Sequence, residues 1–368
     1  MLKLHLIVGA RPNYMKMAPL FDEFAMYPDK YIVRLVHTGQ HYDESMSKLF
    51  FLDLKMPKPD IFLEVGSGSH GEQTARVMER YEKYLLQDKP DVVFVAGDVN
   101  STMACAIDAS KLRIPLAHVE AGLRSYDRTM PEEINRLLTD QIADYLLTPT
   151  PEAGENLLKE GIEKKKIHFV GNIMIDSLVK NLEQAHKSYI LRELGLQENR
   201  AIDKYCLVTL HRPSNVDEKA GLETILEAFQ VISNREKIVF PMHPRTQKNM
   251  RSFGLEKAFS AIPDLIITEP LGYLDFLQLE QNADFIVTDS GGIQEETTYL
   301  QIPCLTIRNN TERPITISEG TNQLVNLDAE KIISAMEEII KGNRKQGSIP
   351  KYWDGQTSKR IVEIFSRL

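Results

Sequence analysis

The chain has 368 residues, 42% hydrophobic and 26% charged, which suits two globular domains at ~150 residues each and excludes a disordered or fibrous chain. Lys and Arg number 44 against 52 Asp and Glu, a formal charge of −8, which argues against nucleic acid as a partner because such binding rests on basic patches that release counterions. Cys105, Cys206 and Cys304 are far apart with no CxxC pair, so neither a disulfide framework nor a metal site is expected, and a reduced, cytoplasmic setting follows.

No apolar run reaches the ~18 residues of a membrane span, so no membrane partner is expected. The opening MLKLHLIVGARP is interrupted too early for a signal peptide and reads as a buried strand. In chain order, residues 2–8, 32–37, 92–96 and 115–119 predict strands, and 72–87, 101–112 and 130–147 predict helices. The last of these has Thr129 and Glu132 at capping-box spacing and Pro131 in its first turn. Its apolar residues Ile134, Leu137, Leu138, Ile142, Tyr145 and Leu146 fall on one face, which is expected to be core. After VGN (170–172) the pattern restarts, with strands at 206–210, 237–241, 264–268, 284–288 and 303–307 and helices near 221–233, 273–281 and 292–300. Residues 356–368 form a final amphipathic helix. Strands alternating with helices imply an α/β chain with two parallel sheets. Ligands of such sheets bind at the carboxyl ends of the strands, so two facing domains would hold one in the cleft between them.

Polar clusters follow the predicted strands. GARPNYMK (9–16) supplies a tight turn and two cations, Arg11 and Lys16, a setting for phosphate as well as an ordinary basic turn. VAGDVNST (95–102) ends a strand with Asp98, an acid–base candidate or a helix cap. HVEAGLRS (118–125) repeats this with Glu120, either partly desolvated for acid–base work or paired to Arg124. Glu132 starts the next helix, a third carboxylate near one strand mouth. TLHRPSN (209–215) and PMHPRT (241–246) place His211–Arg212 and His243–Arg245 at strand ends, a pattern for an anion or polar ligand rather than a metal. TDSGGIQEE (288–296) runs Ser290, Gly291 and Gly292 into a helix start, suited to a phosphate, with Glu296 one turn in, able to take a pair of hydroxyls. Arg308 and Arg313 follow the last strand, and Arg313 could clamp a diphosphate. GSGSHG (66–71) matches a dinucleotide fingerprint but lacks the acid at a strand's end that the motif needs, so it reads as a loop.

Together, GARPNYMK, TGQHYDESMS (38–47), AGDVNST, HVEAGLRS, MPEEINR (130–136), VGNIMIDS (170–177), TLHRP, HPRT, TDSGGIQEE and NNTERP resemble, in colinear order, the non-hydrolysing UDP-N-acetylglucosamine 2-epimerase family. The resemblance implies a GT-B-like fold: an N-terminal Rossmann-like domain over 1–172, joined by the returning helix 356–368, and a C-terminal UDP-binding domain over 173–355. It implies a UDP-sugar substrate, no added cofactor, a homodimer, and a role in supplying cell-surface polysaccharide precursors. Carried over by position, Asp98, Glu120, Glu132 and His211 are catalytic. Arg11, Lys16, Ser290, Gly291, Gly292 and Arg313 contact substrate, Leu271 and Phe276 meet the uracil, and Glu296 meets the ribose. Tyr42-Asp43-Glu44-Ser45 lacks the second glutamine with which some bacterial members hold a regulatory UDP-GlcNAc. The short loop between HVEAGLR and PEE also occurs in relatives that epimerise other UDP-2-acetamido sugars, including a diacetamido uronate. A GT-B glycosyltransferase, a hydrolysing relative and a nucleotide-sugar sensor are the competing readings.

Overall fold

A computed structural model describes residues 1–39 and 56–367, apart from the side chains of Arg11 and Pro12. The chain divides into two compact units, Met1–Lys180 with Lys351–Leu368, and Asn181–Pro350. The division falls inside the helix Ile173–Ala185. No helix among the described residues is long and apolar enough to cross a membrane.

The first unit carries strands β1 (Leu2–Val8), β2 (Tyr31–His37), β3 (Ile61–Phe62), β4 (Val92–Ala96), β5 (Leu116–Val119), β6 (Tyr145–Thr148) and β7 (Ile167–Phe169). They form one parallel sheet in the order β3-β2-β1-β4-β5-β6-β7. Strand order reverses between β1 and β4, the point where the loops after two neighbouring strands part and leave a crevice. All five residues of β4 are buried, as expected of a central strand covered on both faces. One cover is the helix His70–Gln87, whose buried Gln73, Val77, Tyr81 and Leu85 recur every fourth residue. Its start is the GSGSHG loop. Ser69 accepts from the Glu72 N–H while the Glu72 carboxylate accepts from the Ser69 N–H at 3.2 Å, a capping box.

The helix expected over 130–147 is corrected in three respects. It spans Pro131–Ile142, and Tyr145–Thr148 is instead β6, paired with β5 and β7. Its N-cap is Met130, without a side-chain cap, while Thr129 bonds to Asp127. Its apolar face is turned outward: Ile134 is 46% and Leu138 47% exposed. The buried face is polar, comprising Glu133, Asn135, Arg136, Thr139 and Asp140. Burial of these groups is sustained because Glu133, Asn135, Arg136 and Asp140 find partners across the unit, described below, while Thr139 Oγ1 donates to the Asn135 carbonyl one turn earlier in the same helix at 2.8 Å.

At the end of the chain, the helix Thr357–Phe365 packs on the helix Arg11–Ala25. The Asp176 carboxylate accepts from the Thr357 N–H at 3.0 Å and from the Ser358 N–H at 2.7 Å, capping it from a distance of some 180 residues along the chain. Phe365 meets Phe94 and Tyr145, both at 4.8 Å between ring centres.

The strands of the second unit begin with a short hairpin, β8 (Gln197–Glu198) and β9 (Ala201–Ile202), followed by β10 (Tyr205–Thr209), β11 (Lys237–Pro241), β12 (Leu265–Thr268), β13 (Phe285–Thr288), β14 (Cys304–Ile307) and β15 (Asn322–Val325). The last six form a parallel sheet, β12-β11-β10-β13-β14-β15, reversing between β10 and β13. Alternate residues enter opposite cores: Cys206, Val208, Phe285 and Val287 one, Tyr205, Leu207, Val239 and Ile286 the other. All three cysteines are buried free thiols.

Candidate functional site

In the first unit the polar groups gather at the carboxyl ends of β1, β4 and β5. The turn after β1 is tight because Gly9 has no side chain: a Cβ there would sit 2.5 Å from Ser101 Oγ and 2.7 Å from Thr38 Oγ1. Asn13 holds the turn, accepting from Ala10 N–H at 3.1 Å and donating to the Ala96 carbonyl at 2.8 Å. Arg11 opens the following helix, but its side chain lies outside the described residues, as do residues 42–45. Lys16, one turn further on, is buried and forms an ion pair with Glu120. Glu120 leaves β5 with φ +70°, a left-handed conformation that costs a non-glycine residue ~1–3 kcal/mol and is retained where surroundings over-determine it. Gly97 makes room for the pair, since a Cβ there would lie 2.8 Å from Lys16 Nζ and 3.3 Å from Glu120 Oε2.

Glu120 is thus paired to Lys16, not to Arg124. Arg124 binds Glu160 bidentately, at 2.8 and 2.7 Å, and reaches Asp140 at 2.7 Å. Asp98 is not the N-cap of the helix Asn100–Lys111: that position is Val99, and it carries no side-chain cap bond. Asp98 pairs with Arg136 from the polar face of the helix Pro131–Ile142, and its carbonyl accepts from Asn135 at 2.8 Å. Glu132 lies exposed in the first turn of that helix, whereas its neighbour Glu133 is buried and accepts from Ser125 N–H and Oγ, both at 2.8 Å.

Beneath these groups lies a support that sequence reasoning missed. Asp140 is wholly buried, 2.6 Å from His118 Nδ1, and accepts from Gly122 N–H at 3.1 Å. His118 Nε2 lies 2.8 Å from the Gly97 carbonyl, so one histidine joins the turns that carry Asp98 and Glu120. Burial pushes the Asp140 carboxyl up, but His118 and Arg124 more than offset this and hold it below the usual carboxylate range.

In the second unit the organising group is Asp289, fully buried after β13. It accepts from Arg212 N–H at 2.8 Å, His211 N–H at 3.0 Å and Asn215 Nδ2 at 3.0 Å, and its Oδ1 is 3.1 Å from His211 Nδ1. Asp289 thus fixes the Nδ1 side of the His211 ring, whose side chain stays 37% exposed. The second histidine–arginine pair does different work: His243 caps the helix Pro244–Ser252, and Arg245 is tied to Asp217 at 2.6 and 2.5 Å.

Ser290 is the N-cap of the helix Gly291–Leu300, whose first N–H groups have no partner within the helix and whose dipole favours an anion. Arg313 lies against this start, since a Cβ on Gly291 would be 2.5 Å from its Nη1. Glu312 and Glu295 hold Arg313 at 2.6 and 3.0 Å, and Glu312 also binds Arg308 at 2.8 Å. Burial holds the Arg308 guanidinium below its usual range, although Glu312 opposes the shift. Glu296, on the same helix, accepts from the Tyr273 hydroxyl at 3.0 Å. Leu271 and Phe276, before and on the helix Tyr273–Asn282, are half-buried and pack on the apolar cluster containing Ile293. The structure therefore brings Lys16, Glu120 and Asp98 together in one unit, and Ser290, Gly291, Gly292, Glu296, Arg313 and the Asp289-held His211 in the other.

The family model described as UDP-N-acetylglucosamine 2-epimerase matches residues 28–366. The UDP-N-acetylglucosamine 2-epimerase of Methanocaldococcus jannaschii is 46% identical over 99% of both chains. A crystal structure of UDP-GlcNAc 2-epimerase from that organism, in complex with UDP-GlcNAc and UDP, superimposes with TM-score 0.90 at 45% identity, covering 100% of each chain. The UDP-2,3-diacetamido-2,3-dideoxy-D-glucuronate 2-epimerase of Pseudomonas aeruginosa is 40% identical over 100% of both chains. A lipopolysaccharide outer core galactosyltransferase, 14% identical with TM-score 0.55 over 100% of each chain, shares the two-domain GT-B-like fold alone.

Proposed function

The chain belongs to the UDP-N-acetylglucosamine 2-epimerase family, a family of isomerases, and from this we propose that it interconverts UDP-GlcNAc and UDP-ManNAc by eliminating UDP and adding it back. In this reading it is a cytoplasmic homodimer supplying cell-surface polysaccharide precursors.

The hydrogen on carbon 2 is not acidic, because no carbonyl adjoins that carbon. Breaking the bond from carbon 1 to the diphosphate oxygen first leaves positive charge shared with the ring oxygen, and carbon 2 then gives up its proton to a carboxylate. The electron pair of the broken C–O bond leaves with UDP, and that of the C–H bond closes the double bond of 2-acetamidoglucal. UDP then adds to carbon 1 while carbon 2 takes a proton on its other face. Departure of the diphosphate calls for fixed cations and N–H donors, and we assign these to Arg11, His211, Ser290, Gly291, Gly292 and Arg313. Inversion calls for acid–base groups serving both faces, and we assign these to Asp98, Glu120 and Glu132, with Lys16 beside them. Phe276 and the backbone at Leu271 take the uracil, and Glu296 the ribose.

The observation that carries this reading is Glu120, a buried carboxylate held in a left-handed conformation and balanced by Lys16. A purely structural ion pair has no need of that strain. The test is incubation with UDP-GlcNAc in deuterated water. UDP-ManNAc carrying deuterium at carbon 2 is expected; no label and no new sugar nucleotide would overturn the assignment. Free ManNAc with UDP would indicate a hydrolysing enzyme, and sugar transfer to an added acceptor a glycosyltransferase. The 40% identical Pseudomonas relative motivates a second substrate arm with the UDP-diacetamido uronate. Conversion of that sugar alone would move the specificity without moving the chemistry.

A further inference from the structure

Glu280 has no place in the chemistry above, yet its surroundings are unusual. It stands in the last turn of the helix Tyr273–Asn282, at 0% exposure. Neither carboxyl oxygen meets a donor among the described residues. A bare carboxylate there would cost several kcal/mol, and the negative end of the helix dipole would add to that cost. The group acting on it is a second carboxyl, that of Glu296, 97% buried and reached by the hydroxyl of Tyr273, which stands two turns before Glu280 on the same buried face of the helix. Cys304 of β14 also faces Glu280, with its thiol pushed up to about 12 by burial, and is therefore neutral.

Two buried carboxyls in contact cannot both be ionised, and the pair retains one proton. Which of them holds it follows from the hydrogen bonds. Tyr273 donates to Glu296 Oε1, which favours charge on Glu296, and Glu280 has no such donor. Burial and the neighbouring Glu296 both drive the Glu280 carboxyl well above the carboxylate range.

We propose that Glu280 is a positioning residue: as a neutral acid it donates a hydrogen bond to Glu296 and, with Tyr273, fixes the plane in which the Glu296 carboxylate meets the two hydroxyls of a ribose. The inference rests on the reading of Glu296 as the ribose contact. The hydroxyl pair is then recognised by Glu296, which touches the sugar, with Tyr273 and Glu280 each holding it by a donated hydrogen bond.

The test compares binding of UDP and 2′,3′-dideoxy-UDP by calorimetry in the full chain and two variants. The wild type should prefer UDP by roughly tenfold per hydroxyl, the usual worth of a bond to a charged acceptor. Glu280→Gln keeps a permanent N–H donor in the same shape and should preserve that ratio. Glu280→Leu removes the donor and should bring the ratio to within about threefold, with dideoxy-UDP affinity little changed. Preservation of the full ratio in Glu280→Leu, or its equal loss in Glu280→Gln, would overturn the proposal. Should Glu280→Leu fail to fold, infrared difference spectra of wild type against Glu280→Gln decide: a protonated-carboxyl C=O band present only in the wild type supports the proposal, and its absence refutes it. A wild type indifferent to the ribose hydroxyls, with that band present, would instead remove the ribose reading of Glu296 on which the proposal rests.

Discussion

Replacing Asp289 by Asn would test whether His211 acts in turnover or merely shapes a turn. The carboxylate serves four donors, and the arrangement dictates how Asn must sit. Its oxygen will take the Oδ2 position, where Arg212 N–H and Asn215 Nδ2 converge at 2.8 and 3.0 Å. That leaves the new NH2 facing His211 Nδ1, 3.1 Å away in the wild type. Two donors cannot share that contact, so the ring must turn its unprotonated nitrogen inward and carry its proton on Nε2. The loss is one charge-assisted bond on the imidazole, ~1.5–3 kcal/mol, which corresponds to a fall in turnover of about 10- to 100-fold at ~1.4 kcal/mol per decade. Initial rates of UDP-GlcNAc conversion by NMR, together with UDP binding by calorimetry, separate the outcomes. We expect turnover to fall by that factor while UDP affinity falls less. Turnover within about threefold of wild type, in a variant whose melting temperature has dropped, would show that Asp289 serves the turn alone.

Three further outcomes are expected. In a double-mutant cycle, Lys16→Met and Glu120→Gln should each cost about 3–5 kcal/mol in urea melts and the pair together much less, because a single change strands a buried charge; strictly additive costs would refute the buried pair. Gly291→Ala should weaken UDP binding by at least about tenfold, because its Cβ would lie 2.5 Å from Arg313 Nη1 and push the guanidinium off the helix start; unchanged calorimetric affinity would remove Arg313 from the anion site. Asp108 is buried with its carboxyl pushed up to about 7, chiefly by burial. The folded chain therefore binds the extra proton, and stability falls as pH rises from about 4 to about 7. Asp108→Asn should melt higher than wild type at pH 8, by on the order of 5 °C, and equal it near pH 4; a difference independent of pH would refute the assignment.

The alternation of apolar runs and helical segments was enough to read both parallel sheets, because central strands such as Val92–Ala96 are buried whatever packs beside them. The strand-end clusters were legible for a related reason: in such sheets the turns after the strands are where polar chemistry has room. The helix Pro131–Ile142 was misread because periodicity reports that a helix has two faces but not which one is covered. Here Arg136, Asn135 and Asp140 are drawn inward by Asp98, Asn100 and His118, and the apolar residues are left outside. Tyr145–Thr148 continued the same apolar spacing and gave no sign that the chain had changed to extended backbone. Asp289 stood within a recognised motif, yet its partners lie 74–78 residues earlier. Asp140 and Glu280 stand inside helical stretches where an acid ordinarily reads as solvated, and only tertiary contact reveals them as buried.

The cap that Asp176 places on the helix Thr357–Phe365 has a consequence for how the polypeptide matures. The six-stranded unit is complete once Pro350 has been made, whereas the seven-stranded unit, begun first, cannot seal Phe24, Phe94 and Tyr145 until Phe365 arrives. During synthesis the earlier-born half therefore waits, with aromatic surface open, on a segment made after the whole six-stranded unit, a long-range closure of the kind that slows folding and invites association between nascent chains.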